Sequence, residues 1–344
     1  DVPVPAWWTS QAMDIDRELA QVKKGKVETI AITPGKRPVR AVFYGEPEPE
    51  WKGTANFNAA VAALRKVAYY DKAKRKRPVL FILAGVHGQE FEGMMGALSV
   101  IRLMETGRDL QGNEQPEFLA KLKLLRLIII PLANPDGRER VPYDGWVGLP
   151  TEEMTKWGQG TRRNGELYRW RGSKGYHPMT GDVGILGGYF DDAGINMMHD
   201  DWAEPMSETT SALLKLAAQE GPDFLLNLHS HGQPPCVLTS KFVPLEHMYK
   251  LHACREKYLK RRDAKNFRHQ KVNHLPVSFE EERARDKLAF NLQSMFYHVG
   301  ADFGCTFEST HGTATHAPDY GYEDILQVHH ELFDLAAEEI LQGK

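Results

Sequence analysis

The sequence is poor in cysteine, in long apolar runs and in net charge. Cys236, Cys254 and Cys305 are its only cysteines and have no Cys-x-x-Cys spacing. That excludes a disulfide framework and a thiolate zinc site, and leaves room for one bridged pair. No apolar run reaches the roughly 18 residues of a membrane-spanning helix. Leu122–Ala133 comes nearest and is broken by Lys123, Arg126 and Pro131, so no membrane insertion is expected. The 46 acidic and 43 basic residues nearly cancel, at a net charge of −3. No global field therefore draws the chain to nucleic acid or to an anionic membrane, and no nucleic-acid partner is expected. The basic run Lys72–Arg77 reads as a solvated loop. Internal repeats and low-complexity segments are missing. So are a P-loop, a His-Glu-x-x-His helix and a Gly-x-Gly-x-x-Gly turn after a strand, which excludes nucleotide hydrolases, zincins and dinucleotide enzymes.

What is present is an ordinary globular composition, 42% hydrophobic and 26% charged over 344 residues, enough for a sizeable core in one large domain or two smaller ones. The chain opens on Asp1 rather than Met. Removal of an export signal or simple trimming would both produce that start; the expectation is a secreted or periplasmic protein.

Strands and helices alternate along the sequence. Val27–Thr33 and Pro38–Tyr44 flank Pro34-Gly35-Lys36 and predict a hairpin, so the N-terminal region of about 27–45 is antiparallel. Val79–Ala84, Leu124–Ala133, Phe224–Leu228 and Phe303–Phe307 are continuous apolar runs, the pattern of strands buried on both faces. Helical spacing marks Phe91–Glu105, Ser207–Glu220, Phe279–His298 and Asp324–Leu341. The implied fold class is α/β: a mixed, largely parallel central sheet with helices on both faces. Residues 137–194 form a Gly-rich loop region, with 13 of the 30 glycines. A segment that long is a disordered insertion or a functional loop, and Trp146, Trp157, Tyr168 and Trp170 give it anchors.

In such sheets sites form beyond the carboxyl ends of strands. After the first buried run comes His87-Gly88-Gln89-Glu90, an imidazole and a carboxylate at a strand-to-helix corner, both suitable for zinc. The structural alternative is a helix-capping Glu90 beside a surface His87. After the third run comes His229-Ser230-His231, 142 residues beyond His87. A short pair plus one distant ligand is the usual build of a catalytic zinc site, though a satisfied core histidine is the alternative for His229. His231 reads as solvent-facing or supporting. After the fourth run comes Glu308. It is either the partner of an arginine or a general base for water that zinc activates, lowering its pKa to about 7. A Ser230 nucleophile is disfavoured because Leu228, not glycine, opens the would-be elbow. His329-His330 read as surface positions of the last helix.

The ordered set His87-x-x-Glu90, Asn134-Pro135-Asp136-Gly137, Leu228-His229-Ser230-x-Gly232 and Thr306-Phe307-Glu308 resembles the zinc metallocarboxypeptidases of the carboxypeptidase A type, over about residues 27–340. The resemblance implies one catalytic domain over 1–344, one Zn2+ per chain held by His87, Glu90 and His229, and Glu308 as general base. It implies a peptide or amide substrate and says nothing of oligomeric state. An arginine that polarises the scissile carbonyl maps to Arg162 in Gly160-Thr161-Arg162-Arg163-Asn164, with Arg163 and Arg171 as rivals. A substrate-facing tyrosine maps to Tyr297. The family's carboxylate-gripping Asn-Arg maps to Asn196 and Met197. Met197 has no donor and no charge, so recognition of a free C-terminus is in question. The aspartate that orients the first zinc histidine maps to Gly194, and Asp191 or Asp192 would replace it. The resulting expectation is a zinc-dependent carboxypeptidase-like hydrolase cleaving an amide bond. A deacylase or amidase acting on a non-peptide or modified amide, and an inactive binding protein of the same fold, are the alternatives.

Overall fold

In the computed structural model the described residues are 2–47, 57–64, 75–173, 175–240, 242–264, 278–284 and 290–342. Among them a seven-stranded mixed sheet runs through the molecule in the order β1-β2-β4-β3-β5-β7-β6. β1 (Lys26–Ile32) and β2 (Pro38–Tyr44) form the expected hairpin, and β2 pairs antiparallel with β4 (Arg126–Ile130). β3 (Val79–Leu83), β4, β5 (Phe224–His231) and β7 (Gly304–Thr310) pair parallel; β6 (Cys236–Leu238) closes the far edge antiparallel to β7.

Side-chain alternation sends each strand's residues into two cores. Leu80, Ile82, Leu127, Ile129, Leu226 and Leu228 pack with Met94, Leu98, Leu332 and Phe333 of helices Phe91–Thr106 and Tyr322–Gln342. Phe81, Leu83, Ile128, Ile130 and Leu225 pack on the other face with Leu213, Leu216, Met295 and Phe296 of helices Glu208–Glu220 and Leu292–Val299. β3 and β4 are therefore buried throughout, which is why their sequences read as unbroken apolar runs.

Several expectations shift. β5 continues to His231 and β7 to Thr310, past the apolar runs, so His229 and Glu308 lie inside strands rather than after them. The proposed helix Phe279–His298 is two described helices, Phe279–Ala284 and Leu292–Val299; residues 285–289 lie outside the described residues. Of the basic run, residues 72–74 lie outside the described residues, but Arg75 is buried against Asp223 at 2.7 Å instead of solvating a loop. His329 and His330 are likewise buried: His330 bridges Ser99 and Gln115, and His329 bonds the Ile325 carbonyl. The three cysteines are free and buried. No described helix is long and apolar enough to cross a membrane.

The Gly-rich region is folded. Tyr168, Met179 and Phe190 make a small core of their own with Val183, Leu186 and Tyr189. Asp136 of the Asn-Pro-Asp-Gly segment ties this region to the hairpin. Its buried carboxylate accepts from Thr33 Oγ1 (2.6 Å), Gly35 N (3.0 Å), Arg37 Nη1 (2.9 Å) and Asp192 N (3.1 Å). Burial alone would raise this carboxyl, but the hydrogen bonds outweigh it and hold the group below its ordinary value. A depressed pKa contributes stability above the unfolded value, and that contribution is lost as pH falls through the folded one. Asp136→Ala is expected to cost about 3 kcal/mol in denaturant titrations at neutral pH. The difference from wild type should shrink as pH drops below about 4.

Candidate active site

Three side chains from two elements meet at the carboxyl ends of β3 and β5. His87 sits in the turn after β3, Glu90 immediately precedes helix Phe91–Thr106, and His229 projects from β5; all three are buried. His87 Nδ1 lies 2.8 Å from Glu90 Oε1, His229 Nδ1 lies 2.9 Å from Glu90 Oε2, and the two Nδ1 atoms are 3.2 Å apart. Donors of a tetrahedral zinc ion, with bonds of about 2.0–2.1 Å, stand roughly 3.3 Å from one another. The observed spacings are close to that, and these three residues are the metal-capable group found among the described residues.

The tautomer of His87 supports the same reading. Its Nε2 faces Asn196 Oδ1 at 3.2 Å, and Oδ1 is fixed as the acceptor by Met198 N at 3.0 Å. Nε2 therefore carries the proton and Nδ1 presents a lone pair to Glu90. Burial lowers the pKa of His87 below its ordinary value despite the attraction of Glu90, so the ring is neutral, as a ligand must be. Burial would raise the Glu90 carboxyl, but the flanking His87 and His229 hold it below its ordinary value. The Glu90 carboxylate and the His87 Nδ1 lone pair, aimed at one point with His229 Nδ1 beside them, repel one another unless a cation lies between them, so the donor set fits zinc.

Glu308 stands one strand away. It is the register partner of His229 across the parallel β5–β7 pair, so both side chains project from the same face of strands about 4.8 Å apart. On its other side Glu308 is the register partner of Cys236. Next to it in β7, Ser309 faces the opposite core, where buried His311 pairs with Glu92 at 3.2 Å.

The sequence profile of zinc carboxypeptidases matches residues 18–234, more than half of the chain. The protein belongs to the zinc carboxypeptidase family. Solved structures share the fold. A metallo-carboxypeptidase from Burkholderia cenocepacia aligns with a TM-score of 0.59 at 13% identity, covering 96% of this chain and 69% of that one. A metallo-carboxypeptidase from Pseudomonas aeruginosa aligns at 0.55 and 14%, covering 97% and 68%. Thrombin activatable fibrinolysis inhibitor aligns at 0.58 and 10%, covering 100% and 81%. No curated protein sequence matches the chain. The family makes this a metallopeptidase-like hydrolase fold, and the matched span includes His87, Glu90 and His229 while Glu308 lies beyond it.

Other residues assigned from the family pattern are placed differently. Asn196 is engaged with His87 and so does the orienting work given above to Asp191 or Asp192. Asp191 instead caps the turn through Ala193 N and Ile195 N, and Asp192 is ion-paired with Arg37 and Arg140. Met197, expected at the substrate pocket, is 1% exposed and belongs to the core that includes Val86, Leu213 and Met295. An arginine at 197 would bury an unpaired guanidinium, so that substitution probes stability rather than specificity. Arg162 is committed within the Gly-rich lobe: Nη1 lies 3.1 Å from Asp182, and the guanidinium stacks 4.7 Å from the Tyr168 ring and 5.7 Å from that of Tyr176. Arg163 and Arg171 are exposed. Tyr297 packs with Phe57, His247 and His298, none of which is among the three converging donors. His231 bonds the Pro234 carbonyl at 3.0 Å, a supporting role.

One residue that sequence reading passed over does reach the centre. Tyr189, at the end of Gly187-Gly188, places its ring centroid 4.0 Å from that of His87. Burial and then the Glu90 and Glu308 carboxylates push its phenol well above the ordinary tyrosine value. The paired glycines before an aromatic were the only local signal.

Proposed function

We propose that this family member is a zinc-dependent hydrolase of peptide amide bonds, binding one zinc per chain through His87, Glu90 and His229 and using Glu308 as general base. The observation that carries this reading is the meeting of three buried donor groups, at 2.8–3.2 Å from one another, beside a register-paired carboxylate. Bound zinc would supply Lewis acidity, polarising the scissile carbonyl and easing deprotonation of the attacking water. Glu308 accepts the proton of that water and passes it to the departing amine nitrogen. Its backbone is held on both sides by β5 and β6, which keeps the carboxylate on the face of the ligands. Asn196 fixes the ring and tautomer of His87. Asn196→Ala is expected to lower zinc affinity roughly 10–100-fold in competition with a chromophoric chelator, and Asn196→Asp to restore it.

A second reading concerns the substrate. The segment that grips a terminal carboxylate in the family pattern supplies here an amide whose oxygen is already bonded and a buried methionine. This favours amides without a free α-carboxylate. The test is a mass-spectrometric panel of peptides with free, amidated and branched ends beside acylated amino acids. Cleavage of amidated or acylated members supports the second reading. Strict dependence on a free carboxylate restores an ordinary carboxypeptidase. No hydrolysis by zinc-loaded protein would leave a binding protein.

A further inference from the structure

The turn Leu186–Phe190 is anchored more firmly than a surface loop requires. Arg140 donates to the carbonyls of Leu186 (3.2 Å), Gly187 (3.1 Å) and Phe190. Gly88 N and Asn134 Nδ2 both donate to Gly188 O, at 2.7 and 3.2 Å, and Tyr189 N donates to Gly158 O at 3.0 Å. The backbones approach so closely that a Cβ on Gly187 would lie 2.2 Å from Gly158 O, and one on Gly137 would lie 2.3 Å from Gly188 O. Three loops are thus locked together beside His87, and the side chain they present there is Tyr189.

The ring of Tyr189 stands at 61° to His87, edge to face. His87 in turn meets Glu90, which also reaches His229, the register partner of Glu308. A ring packed on His87 in this anchored turn stands beside the three converging donors and next to the strand pair that carries His229 and Glu308, the region where a reacting carbonyl must sit. The arginine assigned that region from the family pattern is held elsewhere by Asp182, Tyr168 and Tyr176.

We propose that Tyr189 is a catalytic residue of this enzyme, its hydroxyl donating a hydrogen bond to the substrate carbonyl oxygen as negative charge develops there. The proposal rests on the hydrolase reading above. As the water oxygen bonds to the carbonyl carbon, the water's proton passes to Glu308 and the π pair of the carbonyl moves onto its oxygen. Tyr189 donates to that oxygen and keeps its own proton. The pair returns as the C–N bond breaks, and the amine leaves with the proton carried by Glu308. A donor fixed by a rigid turn needs no reorganisation during this step, which is where such groups gain their effect.

The test compares wild type, Tyr189→Phe and Tyr189→Leu as zinc-loaded full-length protein. The probes are a cleavable peptide and a phosphinate peptide of the same sequence, whose tetrahedral centre mimics the addition step. Tyr189→Phe retains the ring against His87, so zinc content and KM are expected to stay within about two-fold of wild type. Its kcat and its phosphinate affinity should both fall roughly 10²-fold. Tyr189→Leu should lose zinc affinity as well. Full phosphinate affinity and full kcat in Tyr189→Phe would overturn the proposal and reduce the tyrosine to packing. If no peptide is cleaved, the phosphinate titration alone decides: at least a ten-fold loss in Tyr189→Phe supports the assignment, and no loss ends it. Failure of the zinc-loaded wild type on both counts, neither binding the phosphinate nor cleaving the peptide, would overturn the hydrolase reading and, with it, the role of Tyr189.

Discussion

Glu308→Gln should all but abolish hydrolysis while leaving the metal in place. The substitution preserves the shape of the side chain and the β5–β7–β6 pairing around it, but an amide nitrogen and its carbonyl cannot take up the proton of water. Loss of a positioned general base typically costs about 10²–10⁴-fold in rate, and the loss should fall on kcat with little change in KM. Metal content, measured after purification without added zinc, should remain at one equivalent, because Glu308 is not among the three converging donors. A variant that retained a tenth or more of wild-type kcat would remove Glu308 from the role. A variant that lost its metal would move Glu308 into the ligand set.

His229→Ala should have the larger effect on binding and stability. It removes the one donor that reaches the site from β5 and leaves a pair close together in sequence. The loss of zinc affinity should exceed the 10–100-fold that follows from losing a supporting partner. Zinc present at about 1,000 times its dissociation constant stabilises a folded protein by roughly 4 kcal/mol. Wild type should therefore melt at a lower temperature once a chelator is added, and the His229→Ala protein should be insensitive to the same chelator. Equal responses of the two proteins would place the metal somewhere else.

The parts of this site that were readable without coordinates share one physical cause. β3 and β5 are covered on both faces, so their apolar runs are continuous, and a polar residue at the end of such a run stands out. His87, Glu90, His229 and Glu308 stand out as candidates in this way. The ends of β5 and β7 are hidden for the converse reason: the strands continue with polar side chains, His229 and Glu308 among them, so the apolar run stops before the strand does. His329 and His330 read as surface residues because a buried histidine satisfied by Ser99, Gln115 or a backbone carbonyl looks the same in sequence as an exposed one.

Assignments carried over by motif fared less evenly. Asn196, Met197, Arg162 and Tyr297 occupy matching positions in sequence, yet their side chains are engaged by His87, by a core, by Asp182 and by an aromatic cluster. A motif reports residue type and order. Where a side chain ends up depends on the neighbours that fold around it.

By itself the sequence determined the alternation of buried strands and helices, the mixed sheet, and the residue types able to hold a divalent cation. Hydrophobic burial has a period that can be read along the chain. Only the tertiary structure decided that the donor atoms meet within about 3 Å of one another, that an amide rather than a carboxylate steadies His87, and that Tyr189 faces the centre. Those outcomes arise from contacts between segments as much as 142 residues apart, and no local pattern encodes them.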